Sequence, residues 1–164
     1  MYELVTQTNV LKLLKIFRKD NHPYVTEDYK DFKKLKKYYK DMQQLRDARS
    51  KLAGHDWLIR LKDIDTYIGI ISIYELSREE IGDGDRKCTL GFAIGNNFHR
   101  KYYATEAVQN MFDYVKNDLG RSLVLAYTQD GNQPSKHMLK KLGFEDVTDE
   151  YMGGSDVRFY HLEI

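Results

Sequence analysis

The apolar period of this chain changes near residue 55, and that change decides which part of it can be helix and which part sheet. Before Gly54, Phe32, Leu35, Tyr39, Met42 and Leu45 recur at three- and four-residue steps, the spacing that lines one face of a helix. Beyond it, Trp57-Leu-Ile-Arg-Leu61 and Tyr67-Ile-Gly-Ile-Ile-Ser-Ile-Tyr74 are rich in β-branched and aromatic residues, which suit a pleated, half-buried surface. The polar stretch Lys62-Asp-Ile-Asp-Thr66 between them reads as a hairpin connection. A charged loop from Ser77 to Lys87 leads into a third strand, Thr89-Leu-Gly-Phe-Ala-Ile94.

The remaining elements follow from the same signals. Residues 2–5 form a short strand, and a helix runs from Val10 to Arg18 until Asn21-His-Pro23 breaks it. Thr26 is placed to cap a second helix, with Glu27 and Asp28 in a first turn where their charge complements the helix dipole, and that helix runs to about Leu52. Ala104, Ala107, Val108, Met111, Phe112, Val115 and Leu119 make one apolar stripe that Gly120 ends. Ser122–Tyr127 is a strand, Asn132-Gln-Pro-Ser135 opens a short helix closed by Leu142-Gly143, and Val157–Ile164 is a last strand. A hairpin in the middle requires antiparallel pairing, whereas the strand-helix-strand unit over residues 89–127 requires a parallel pair with a crossover. The expected fold is therefore α/β (α+β): one domain spanning 1–164, with a mixed central sheet of six to seven strands and helices on both faces.

A chain of 164 residues can build such a core without staples. Its single cysteine, Cys88, excludes an internal disulfide, and no cluster has the spacing of metal ligands. That pattern fits a reducing, cytoplasmic setting and leads us to expect no metal. Asn9–Phe17 is apolar but interrupted by Lys12 and Lys15 and lacks a cleavage site, so it reads as an amphipathic helix rather than a signal peptide. No stretch is long enough to span a bilayer. The net charge is +1 but uneven, with thirteen Lys and Arg against seven Asp and Glu in residues 1–55. Such a basic third is a solvated helical face or a surface for an anionic partner. Nothing resembling a nucleic-acid-binding motif accompanies it, so no nucleic acid is expected as a partner.

The segment Asn96-Asn-Phe-His-Arg-Lys-Tyr-Tyr-Ala-Thr-Glu106 lies between a strand and the strongest helix. The first amides of a helix have no internal partners and carry partial positive charge, which makes such a turn a natural anion site. Arg100 and Lys101 add full charges there. From the residues alone the segment is either that site or an exposed basic loop.

Residues 90–119 resemble the acetyl-CoA-binding motif of GNAT acetyltransferases, above all the branch of the RimJ and RimL ribosomal-protein N-terminal acetyltransferases. That branch carries a loop of the form Q/R-x-x-G-x-G/A followed by Thr-Glu-Ala. Here the loop is His99-Arg100-Lys101-Tyr102-Tyr103-Ala104, followed by Thr105-Glu106-Ala107. Some 30 residues on, Asn132-Gln-Pro-Ser135 and Leu139-Lys-Lys-Leu-Gly-Phe144 match a second family signature, N-x-x-S and L-x-K-L-G-F. The resemblance implies a GNAT fold with an acetyl-CoA core over residues 89–144 and an acceptor-side helical region over 1–55. It implies that the loop amides from Arg100 to Thr105 cradle the CoA pyrophosphate. It also implies that Phe92, Ala93 and Ile94 pair their backbone with pantetheine, and that Asn132 and Ser135 lie by the pantetheine and the thioester sulfur. The acceptor would be an amine, on a protein N-terminus, a lysine or a small molecule, and the enzyme a monomer or homodimer.

Departures from the family pattern bear on catalysis. His99 stands where Gln or Arg is usual, Tyr102 where glycine is, Thr89 where many relatives carry a strand glutamate, and Leu139 where many have a tyrosine that protonates the thiolate. Aminolysis still needs a route for the amine's proton. Glu75, at the end of a strand, is the candidate base, Tyr127 a weaker one, and Ser135 the hydroxyl that can steady the leaving sulfur. The same departures motivate an alternative, a CoA-binding regulatory module that has lost turnover. His55, His137 and His161 stand alone in the sequence, and Cys88 has no paired histidine or basic residue; all four read as structural or exposed.

Overall fold

The computed structural model describes residues 1–19, 22–48, 54–74, 86–151 and 156–164. Along them run β1 (Tyr2–Leu4), α1 (Val10–Phe17), α2 (Phe32–Asp47), β2 (His55–Leu61), β3 (Thr66–Tyr74), β4 (Lys87–Ile94), α3 (Tyr103–Asp113), β5 (Leu123–Gln129), α4 (Gln133–Lys141), β6 (Glu145–Asp146), α5 (Thr148–Tyr151) and β7 (Val157–Glu163). The strands form one sheet in the order β1-β2-β3-β4-β5-β7-β6. All neighbours are antiparallel except β4 and β5, which are joined through α3 and run parallel. This is the mixed seven-stranded sheet that the hairpin and the crossover require.

Alternation along the strands divides the apolar residues between two faces. On one face Leu58 and Ile70 pack under Leu13, Leu14 and Phe17 of α1 and Leu35 and Tyr39 of α2. On the other, Ile71, Ile73, Leu90 and Val124 pack under Val108 and Met111 of α3 and Leu139 of α4. An isolated helix of eight residues is unstable in water, so α1 is held by this packing. Leu13 and Phe17 are fully buried, and each contributes about 1.5–3 kcal/mol by leaving water. A polar tether adds to it: Lys12 Nζ lies 2.6 Å from Glu3 Oε1 on β1 and 2.9 Å from Tyr67 Oη on β3. The Lys12 bond, and a second that the Tyr67 hydroxyl donates to Glu3, hold the pKa of the Glu3 carboxyl down at about 2.

Three local features differ from the sequence expectation. The second helix is capped by Asp31, whose carboxylate accepts from the amides of Lys33 and Lys34 at 2.8 and 3.0 Å. Thr26, the expected cap, makes no such bond and precedes a single 3₁₀ turn, Glu27–Lys30. The apolar stripe of the strongest helix continues past α3 in a π turn, Tyr114–Asp118, before Gly120, at φ 63°, turns the chain. Finally, β3 carries a bulge: Ile59 pairs with Gly69 but Arg60 with Tyr67, leaving Ile68 over. The extra residue turns Ile68 onto the face of Ile71 and Ile73, where simple alternation would have set it beside Ile70.

The bulge also draws β3 tightly against β4. A Cβ built on Gly69 would run into the Ala93 carbonyl oxygen and lie 2.6 Å from Ile94 Cδ1. Backbone cannot yield as a side-chain tip does, so Gly69→Ala is expected to lower unfolding stability by about 1–3 kcal/mol, read as a fall in the urea midpoint. An unchanged midpoint would show that the two strands separate without penalty.

Candidate active site

β4 and β5 are paired over three residues only, Lys87–Leu123, Cys88–Val124 and Thr89–Leu125. Past Thr89 they part, while β4 stays paired with β3 from Thr89 to Ile94 on its other edge. The backbone of Leu90–Ile94 therefore faces a wedge-shaped cleft with one row of its amides and carbonyls outside the ladder. Such groups need a partner, and a crevice at the carboxyl ends of parallel strands is where open sheets bind ligands. Thr89 stands at the apex, 2% exposed, and its buried hydroxyl has no hydrogen-bond partner.

One wall of the cleft carries the features of an anion site. The first intrahelical bond of α3 runs from the Glu106 amide to the Tyr102 carbonyl at 3.0 Å, so the amides of Tyr103, Ala104 and Thr105 lie ahead of the helical ladder. Arg100 and Tyr102 both take positive φ, 59° and 62°, with Lys101 between them outside that region. Alternating handedness of this kind aims successive amides into one concavity. Tyr102 thus holds the left-handed conformation that glycine adopts freely, and its ring, 71% exposed, lies away from the core under Lys141 Nζ at 5.2 Å. Arg100 and Lys101 are exposed beside it. His99 turns back instead, its Nε2 2.6 Å from the Ile94 carbonyl oxygen, so its ring closes the end of β4.

The opposite wall is β5 and the start of α4. Asn132 caps α4 by accepting from the Ser135 amide at 3.3 Å, which leaves the half-buried Ser135 hydroxyl out of that bond. Tyr127 is on β5 beyond Leu125, the last residue paired with β4, and is 59% exposed, with its ring against Phe159. Phe92, Ala93 and Ile94 lie on the β4 edge of the cleft. The structure thus brings Phe92–Ile94, Arg100–Thr105, Asn132 and Ser135 to the two walls of one cleft. Glu75, the expected base, lies outside the described residues.

Residues 22–30, ahead of α2, lie against both walls of this cleft as a strap. His22 meets the His99 ring edge-on at 5.1 Å, Tyr24 Oη donates to the Gly131 carbonyl at 3.0 Å, and Tyr29 hydrogen-bonds Tyr74. Beneath the strap is a polar group that sequence reasoning missed. Asp56 on β2 is 3% exposed; it hydrogen-bonds Ser72, yet its Oδ1 and the neighbouring Tyr39 Oη make no well-formed hydrogen bond. Burial raises its pKa, with Ser72, Tyr39 and Arg46 pulling the other way. Burial and the Asp56 charge in turn push the Tyr38 phenol up to about 12 and raise those of Tyr29, Tyr39 and Tyr74. The available signal was a lone acidic residue inside an otherwise apolar strand, His55-Asp-Trp-Leu-Ile59.

Comparison with known proteins bears on the same segments. A family model described as an acetyltransferase (GNAT) domain matches residues 10–145. The uncharacterized N-acetyltransferase YnaD of Bacillus subtilis is 30% identical over 83 residues, 51% of this chain and 45% of that protein. The uncharacterized N-acetyltransferase p20 of Bacillus licheniformis is 27% identical over 104 residues, 63% of this chain and 56% of its own. The chain thus spans about half the length of the curated relatives it matches. Among solved structures, ribosomal-protein-S5-alanine acetyltransferase from Vibrio fischeri superposes with a TM-score of 0.76 at 15% identity, over 99% of this chain and 91% of that one. A point-mutant form of the spermidine N-acetyltransferase SpeG from Vibrio cholerae does so at 0.70 and 14%, over 99% and 94%. At these identities the superpositions speak to the fold.

Two expectations follow from the geometry. A left-handed residue other than glycine is strained by roughly 1–2 kcal/mol, whereas an exposed cation–π contact returns about 0.5–1 kcal/mol and glycine loses more entropy on folding. Tyr102→Gly is therefore expected to keep its stability or gain up to about 1 kcal/mol, and a loss larger than that would show that the ring holds the loop. The second concerns Asp56. Its raised pKa means that the folded state keeps a proton the unfolded chain has released, from about pH 4 upward. Stability consequently falls as pH rises through that window. Asp56→Asn is expected to unfold at higher urea than wild type at neutral pH, with the gap closing toward about pH 4; a gap independent of pH would place the effect elsewhere.

Proposed function

This chain belongs to the acetyltransferase (GNAT) domain family, and from that premise we propose that it binds acetyl-CoA in the β4–β5 cleft and passes the acetyl group to an amine. The observation that carries the reading is the parting of β4 from β5 next to a helix start lined with unused amides and cations. The residues fit the group: a diphosphate matches the concavity of Arg100–Thr105, and Arg100, Lys101 and Lys141 supply three positive charges around it. The row of backbone groups along Leu90–Ile94 that faces the cleft, with His99 closing it at the Ile94 carbonyl, matches the amides of a pantetheine arm, which pairs there as an added strand would. Tyr102 is no obstacle, because its backbone already takes the glycine-like conformation and its ring is in solvent.

When bound, acetyl-CoA supplies the activated acyl group; the protein's part is to hold it, steady the leaving sulfur and deprotonate the acceptor. Ser135 at the first turn of α4 is the hydroxyl for the sulfur. The acceptor enters from the side of α1, α2 and the strap, opposite the helices α3 and α4. Ribosomal protein S5 alanine and spermidine, the substrates in the names of the structural neighbours, both present a primary amine. We place this chain in the RimJ/RimL-like branch on the strength of its loop and its N-x-x-S signature. The lysine- and tyrosine-rich acceptor side favours no single member of that set.

The test is thermal melting with CoA, since a ligand that binds only the folded state raises its midpoint. Millimolar CoA is expected to raise it, and the Arg100→Ala, Lys101→Ala double variant to blunt the rise. No shift for wild type would contradict the assignment. Product formation across peptides, polyamines and amino sugars then identifies the acceptor, and Ser135→Ala is expected to slow it on the order of a hundredfold while leaving the CoA-induced shift in place.

A further inference from the structure

The register of three strands lines up one polar row under the strap. Asp56 on β2 pairs with Ser72 on β3, and Ser72 pairs with Gly91 on β4. Gly91 is two residues beyond Thr89, where β4 has already left β5, so the row begins at the cleft and ends at the buried carboxylate. Tyr74 bridges its near end. A Cβ on Gly91 would lie 3.4 Å from Tyr74 Cε2 and 3.7 Å from its Oη, and one on Gly54 would lie 2.8 Å from Tyr74 Cδ1. The phenol is thus laid across two glycines with its hydroxyl over β4. It hydrogen-bonds Ser72, and Ser72 hydrogen-bonds Asp56. Hydroxyls donate and accept at once, so Tyr74, Ser72 and Asp56 are placed to form one series.

We infer that this series takes the proton from the acceptor amine, a role that rests on the acetyl-transfer reading above. Tyr74 is the catalytic group, because its hydroxyl lies over Gly91 on the stretch of β4 that has parted from β5; Ser72 and Asp56 act through it as positioning residues. The acceptor ammonium gives one N–H proton to Tyr74 Oη, Tyr74 passes its own to Ser72 Oγ, and Ser72 passes its own to the Asp56 carboxylate. The amine is then neutral and Asp56 is a carboxylic acid. The nitrogen lone pair forms the N–C bond, the C–S bond breaks with its electron pair on sulfur, and the proton still in excess on nitrogen ends on the thiol. Asp56 gives up its proton to solvent before the next turnover, and an open cavity of about 390 Å3 lined by Thr26, Tyr29, Leu35, Tyr38 and Tyr39 lies on that side.

The surroundings of Asp56 suit a group that gains and loses a proton. Facing it are Arg46, Tyr38 and Tyr39 from α2, Tyr29 from the turn before α2, and Ser72 and Tyr74 from β3. Arg46 is the cation in that set; its two terminal nitrogens bond the Gly54 carbonyl at 3.0 Å and Gln43 at 3.1 Å, and its charge acts on Asp56 without a hydrogen bond between them. A carboxylate kept only for structure would hold a full set of partners, since an unpaired buried charge is destabilising. Here Oδ1 has none. Burial makes such a carboxylate a stronger base than an exposed one, the direction that general-base catalysis needs.

The experiment measures product formed on an identified amine by the full chain, from about pH 6 to 10, for wild type, Asp56→Asn, Tyr74→Phe and Glu75→Gln, each checked as folded by melting. Asp56→Asn and Tyr74→Phe are expected to lower kcat about 10²–10⁴-fold at neutral pH with the KM for acetyl-CoA little changed. The deficit is expected to shrink as pH approaches the pKa of the amine, because an amine already neutral needs no base. A structural defect would not be relieved in that way. A wild-type rate for Asp56→Asn, a deficit equal at every pH, or a loss that falls on Glu75→Gln instead overturns the path while leaving acetyl transfer standing. Absence of product from wild type on every amine overturns both.

Discussion

β4 and β5 part after three residue pairs, and the rest of the site depends on that separation. A parallel pair that stayed closed would satisfy its own backbone and leave no edge for a ligand to complete. Here β4 is gripped on one side by β3, through the bulge at Ile68 and the close approach at Gly69, and is free on the other. The rigid side and the free side are the same strand. A cosubstrate bound to Leu90–Ile94 would therefore be read against the best-packed part of the sheet, between the two apolar clusters.

Charge is divided between the two ends of the cleft in a way that matches the chemistry. At the open end, Arg100, Lys101 and Lys141 sit in solvent around unused amides, where positive charge is cheap to maintain and attracts phosphate. At the closed end, a single carboxylate is buried among tyrosines, where negative charge is disfavoured and proton uptake is favoured. One end binds an anion without changing its own protonation. The other is built to change it. The strap from His22 to Lys30 joins them, touching His99 at the open end and Tyr74 at the closed end.

Much of this was legible in the sequence because it depends on local order. The change of period near residue 55 gave hairpin and helices, the stripe from Ala104 gave the crossover, and the crossover dictated a parallel pair. The loop before α3 was recognisable because helix starts bind anions wherever they occur, and its residues follow one another in the chain. What the sequence hid depends on register between distant segments. A one-residue bulge at Ile68 leaves no mark in the apolar pattern. The cap of α2 fell to Asp31 rather than Thr26 because Asp31 immediately precedes the apolar face, with one 3₁₀ turn taking up the residues between. Asp56 is one acidic residue in a strand, and its meaning comes from Ser72 and Tyr74, which pairing alone sets beside it. The two-residue β6 is fixed by its pairing with His161 and Tyr160 on β7, more than a dozen residues away.

The central claim is that the parted edge of β4 and the start of α3 are one binding surface. Amide hydrogen exchange, followed with and without CoA, tests it residue by residue. The account predicts slowed exchange at Leu90–Ile94 and at Arg100–Thr105, with the paired centre of β2 and β3 little changed. Binding of CoA with exchange unaltered at both of those segments, or protection confined to the helices α1 and α2, would contradict it.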